Sequence, residues 1–118
     1  MRELTQDEIG LVRKLLDREV AGAEQLRAQL INCLVYPIND DETILRCCVS
    51  EKVSPAKVPY LQNVAVDAGA TDLDGGLVEV LLHVNDGKLY EIEYVKADGT
   101  PLIRRPLDSD LSEFMVYW

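Results

Sequence analysis

Leu77-Val78-Glu79-Val80-Leu81-Leu82-His83-Val84-Asn85-Asp86-Gly87-Lys88-Leu89-Tyr90-Glu91-Ile92-Glu93-Tyr94-Val95-Lys96 carries the strongest structural signal in the chain. Two runs rich in β-branched, aromatic and leucine residues flank Asn85-Asp86-Gly87, the pattern of a β-hairpin. A two-residue Asp86-Gly87 turn would pair Val84 with Leu89 and set Val80 and Leu82 on one face with Glu91 and Glu93. A three-residue turn with Gly87 left-handed pairs Val84 with Lys88 instead. That register gathers Val78, Val80, Leu82 and Val84 with Tyr90, Ile92 and Tyr94. The other face then takes Leu77, Glu79, Leu81 and His83 with Leu89, Glu91, Glu93 and Val95. A one-residue slip reverses every side chain, so burial selects the three-residue turn. Glu79 then directly opposes Glu93, an unfavourable pair without a nearby cation.

Ala97-Asp98-Gly99 leads into a further segment, Thr100–Arg105. A two-residue turn there sets Glu93 opposite Arg104, and a three-residue turn sets Glu91 opposite Arg105. Either places a base beside the acidic face. Upstream, Cys33–Ile38 and Thr43–Val49 read as strands around the Asn39-Asp40-Asp41 turn. Ser54-Pro55-Ala56 and Pro59 mark an irregular connection. Asn63–Val66 reads as a short strand and Ala68–Gly76 as a loop. The last segment, Phe114–Trp118, fits a helix or a closing strand.

The N-terminus is helical. Thr5-Gln6-Asp7-Glu8 is a capping box, with Leu4 and Ile9 placed as a hydrophobic staple. Ile9, Val12, Leu15 and Leu16 form the apolar stripe, Gly22 is a stop, and Ala23–Leu30 is a shorter second helix. The predicted fold is α+β, one domain over residues 1–118. An N-terminal helical pair packs on an antiparallel sheet of about four to six strands.

Charge is unevenly distributed. Through residue 31 there are six acids and five bases; the remainder of the 118 residues carries fifteen acids and seven bases. From Asp67 onward eleven acids face four bases. A localised negative field suggests a partner of opposite sign, whereas solubility alone is the plainer explanation. The acidic balance argues against nucleic acid and anionic membranes. No apolar run approaches membrane-spanning length and no secretory leader is present, so a complete, cytosolic chain is expected. Cys33, Cys47 and Cys48 are odd in number and read as buried free thiols. With His83 the only histidine, no Cys/His zinc site is expected.

Candidate binding residues lie first on the mixed face: Glu79, Leu81, His83, Leu89, Glu91 and Glu93. Carboxylates among apolar side chains suit a basic protein partner, and a half-solvated outer face is the competing explanation. Asp108 and Asp110, near Phe114, Tyr117 and Trp118, resemble a second contact area, although Phe114 suits a core better. Asp72-Leu73-Asp74-Gly75 is a fragment of a calcium loop without enough ligands and reads as an ordinary turn. His83 has no nucleophile or metal motif beside it, so no catalytic residue and no cofactor are assigned.

Two stretches are similar to small uncharacterised bacterial proteins. Arg2-Glu3-Leu4-Thr5-Gln6-Asp7-Glu8-Ile9 with Leu15-Leu16 resembles their opening helix. Val84–Lys96 with Pro101-Leu102 resembles their late hairpin, although Asp98-Gly99-Thr100 replaces their usual aspartate-aromatic pair. Proteins of this build are often immunity partners of polymorphic or contact-dependent bacterial toxins. The resemblance implies a toxin-neutralising role and transfers no binding residues.

The expected function is therefore non-enzymatic: an acidic immunity protein, a monomer or weak homodimer, that masks a basic toxin domain such as a nuclease. A small adaptor self-associating through the same face is the alternative, and an enzyme using His83 the third.

Overall fold

A computed structural model describes residues 1–118. The chain forms β1 (Arg2–Glu3), α1 (Gln6–Leu16), α2 (Ala23–Gln29), β2 (Leu34–Pro37), β3 (Ile44–Cys48), β4 (Gln62–Thr71), β5 (Leu77–Asn85), β6 (Lys88–Lys96) and β7 (Ser112–Val116). Short 3-10 turns cover Leu30–Asn32 and Asp108–Asp110. The α+β expectation holds, but the sheet has seven strands, not four to six, in the order β1-β2-β3-β6-β5-β4-β7. All neighbours are antiparallel. No helix is long and apolar enough to cross a membrane.

The first helix starts as its sequence dictates. The Glu8 amide donates to the Thr5 hydroxyl at 3.1 Å, and the Thr5 amide donates to Glu8 Oε1 at 2.8 Å. These two bonds satisfy donors that a helix start otherwise leaves open. Leu11, Val12, Leu15 and Leu16 turn their stripe inward, and Leu26 does so from α2. These side chains join Val35, Leu45, Val66, Ala68, Val80, Leu82 and Ile92 in one apolar core on one side of the sheet. Each fully buried Leu, Ile or Val contributes about 1.5–3 kcal/mol.

One strand is longer than expected, and the tail takes one of its two expected forms. The short Asn63–Val66 strand is ten residues long, because Ala68-Gly69-Ala70 continues it. Ala68 and Ala70 are buried in the core, and Gly69 pairs with both Glu79 of β5 and Ser112 of β7. Small residues here serve close packing beneath α1 rather than a loop. The tail is a strand, with Phe114 packed against the core as expected.

The hairpin corrects the register. Asn85 pairs with Lys88 across a two-residue turn, Asp86 and Gly87, both with positive φ. A bulge between His83 and Val84 then shifts the ladder, so Leu82 faces Ile92 and Val80 faces Tyr94. The bulge restores the inside-outside alternation that the short turn alone would reverse. Only its own neighbourhood changes faces: Leu89 is buried at 3% exposure, and Tyr90 moves outward.

Gln29 of α2 fixes this bulge. Its Oε1 accepts the Leu89 amide at 2.9 Å and its Nε2 donates to the Gly87 carbonyl at 2.9 Å. The Ala56 amide donates to the same carbonyl at 2.8 Å.

Candidate functional site

The helices cover one side of the sheet, leaving the opposite side of β3–β6 bare. Alternation along β5 sends Leu77, Glu79, Leu81 and His83 to that side; β6 adds Glu91, Glu93 and Val95, and β4 adds Asp67. Leu77, Val95, Met115 and Tyr117 are exposed around the carboxylates.

The geometry differs from the sequence register in its pairings. Glu79 faces Val95 rather than Glu93, while Leu81 faces Glu93 and His83 faces Glu91. His83 Nε2 lies 2.9 Å from Glu93 Oε1 and 3.9 Å from Glu91 Oε2. These three side chains present donor atoms within 4.8 Å of one another. Arg46, from neighbouring β3, holds Glu91 Oε1 at 3.0 Å and stacks over the Tyr90 ring at 4.4 Å.

On the β4 side, the Tyr117 hydroxyl donates to Asp67 Oδ2 at 2.5 Å. This bond, with burial, pushes the tyrosine up to about 12. Burial raises Glu79 above its ordinary value, and the Asp67 and Glu93 charges raise it further. Burial is the larger cause, and the neighbouring carboxylates add to it, since no base pairs with Glu79 as Arg46 pairs with Glu91. A groove of about 460 Å³ runs between β5 and β7, lined by Asp67, Glu79, Val95, Met115 and Tyr117.

The eight predicted contact residues therefore separate. Glu79, Leu81, His83, Glu91 and Glu93 share the bare face. Leu89 does not, because the bulge turns it into the core. Asp108 and Asp110 lie in the 3-10 turn against α1, on the helical side. Asp110 is engaged there by the Leu107 amide at 2.8 Å and by Arg104 at 3.3 Å.

The expected neutralisation by Arg104 or Arg105 is also corrected, because Thr100–Arg105 forms no strand. Arg105 instead reaches Glu8 at 2.8 Å. Arg46, overlooked at the sequence level, supplies the base. Its place was legible only once β3 was known to border β6.

The Asp72-Leu73-Asp74-Gly75 turn holds an internal cation. Lys96 Nζ lies 2.8 Å from Asp72 Oδ2 and 2.9 Å from Asp74 Oδ2. Asp72 also accepts the Leu73, Ile103 and Arg104 amides. Burial would raise Asp72, but these amides and the ammonium hold it well below the usual carboxylate range. The lysine fills the place a calcium ion would need, so this turn ties residues 103–104 to the sheet.

An α+β domain with helices on one side and a bare, acidic, partly apolar sheet on the other is thus defined. The family model described as Domain of unknown function (DUF6984) matches residues 1–106, and the chain belongs to that family. No curated protein and no solved structure matches the chain.

Proposed function

We propose that this chain is a non-enzymatic inhibitor: an immunity protein whose bare sheet face docks on a basic bacterial toxin domain, such as a nuclease. The observation carrying this reading is the placement of Glu79, Glu91 and Glu93 on one uncovered face, with Asp67 buried beside them and Arg46 as the neighbouring base. Leu77, Leu81 and Val95 supply apolar contact between the charges. Such a face attracts a cationic surface at long range, and pairing of its carboxylates with the partner's bases offsets the cost of desolvating them. The same surface on a nuclease binds phosphates, so covering it excludes substrate.

Self-association through this face is disfavoured. A two-fold contact would set the carboxylates of one copy against those of the other. Sedimentation separates the readings: the inhibitor is a monomer, and a stable dimer through Leu77 and Leu81 supports the adaptor.

The direct test is affinity capture from the native host at low and high salt, followed by expression of the captured protein alone. The inhibitor reading requires a basic, toxic protein that this chain neutralises. Capture that Glu79→Lys/Glu93→Lys leaves unchanged contradicts docking by this face.

A further inference from the structure

We propose that His83, Glu91 and Glu93 form a binding site for one divalent transition-metal ion, with zinc as its natural probe. His83 stands directly across the β5–β6 ladder from Glu91, and Glu93 follows two residues along the same strand. Strand periodicity therefore fixes all three on one face, on rigid backbone rather than a loop.

Their donor atoms are already assembled. Metal–ligand bonds of about 2.0–2.2 Å in tetrahedral geometry place ligand atoms about 3.4 Å apart. His83 Nε2 lies 2.9 Å from Glu93 Oε1 and 3.9 Å from Glu91 Oε2, on either side of that separation. Small side-chain rotations bring both to the required distance.

Arg46 completes the arrangement. It binds Glu91 Oε1 at 3.0 Å and leaves Oε2 directed towards His83. Outer partners that orient ligating carboxylates in this way are a general feature of metal sites. The imidazole among the donors favours a borderline transition metal such as zinc over calcium and magnesium, which take oxygen ligands.

The site shares Glu91 and Glu93 with the docking face but is tested separately: a chain that takes up zinc but meets no basic protein retains the one and loses the other. The test is calorimetric titration of zinc into the tag-free, full-length chain after chelator treatment. One ion per chain is expected. His83→Ala and Glu93→Gln should each weaken binding about ten-fold or more, whereas Asp108→Asn/Asp110→Asn should not. Glu93→Gln keeps the side chain's shape, and circular dichroism verifies that each variant is folded. No uptake by the wild-type chain overturns the proposal. So does uptake that both site variants leave unchanged, which would mark an adventitious ion held by thiols or scattered carboxylates.

Discussion

Glu8 shows how much one side chain can organise. It is 2% exposed, yet charged. Arg2 reaches it at 2.7 and 2.9 Å, the Thr5 amide at 2.8 Å and Arg105 at 2.8 Å. Burial pushes its pKa up, but these four donors bring it down to about 2. Because the folded value lies below the unfolded one, the stabilisation is complete above about pH 4.5 and is lost as pH falls towards 2. Glu8→Gln should cost about 3 kcal/mol at pH 7. It should also flatten part of the acid limb, with Asp72 still contributing to the remainder. Urea denaturation at pH 7 and pH 3 measures both effects. Asp72→Asn should destabilise the fold and loosen the segment it anchors, seen as faster hydrogen exchange at the Ile103 and Arg104 amides. The capping role of Glu8 was legible from Thr5-Gln6-Asp7-Glu8. Its arginine partners were not, because Arg105 is brought to it by the fold alone.

The β5–β6 hairpin makes the corresponding point for an element. Hydrophobic alternation identified both strands and sorted nearly every side chain to its face. It selected a three-residue turn over a plain two-residue one, yet the two-residue turn with a bulge that the fold adopts preserves the same alternation away from the turn. The deciding groups, Gln29 and Ala56, are far away in sequence. This is why Leu89 was placed outside and is found inside. Gln29→Leu leaves the buried Leu89 amide without its partner, while the Gly87 carbonyl keeps the Ala56 amide, and should cost about 1–3 kcal/mol. Gly87 has φ +74°, and a Cβ there would stand 2.2 Å from the Ala56 carbonyl oxygen. Gly87→Ala should therefore destabilise by about 2 kcal/mol or more. Thermal unfolding of both variants checks these values. The second half of β4 was read as a loop for a related reason: alanine and glycine look like loop residues until the helix packed over them is known.

Taken together, the seven strands and two helices separate the groups that hold the fold from the proposed docking face. The core and the Glu8 and Asp72 networks hold the fold, while the bare face of β3–β6 retains charge that those networks do not neutralise. The sequence located the acids on β5 and β6 and the apolar residues among them. It set Asp108 and Asp110 apart as a second contact area, and the fold carries them to the helical side, against α1, because charge along a chain says nothing about which side of a sheet it reaches. The raised carboxyl of Glu79 gives an expectation opposite in sign to the core substitutions. Glu79→Gln removes like-charge repulsion, so it should raise the melting temperature of the free chain slightly while weakening its complex with a basic partner. Such opposition between stability and binding is expected of a surface kept charged for recognition. The decisive measurement is the salt-dependent affinity of the wild-type chain and Glu79→Lys/Glu93→Lys for the basic protein captured from the native host. The docking proposal predicts tight low-salt binding by the wild type that weakens with ionic strength and collapses in the variant. Equal affinity for the two chains, or binding indifferent to salt, would contradict it.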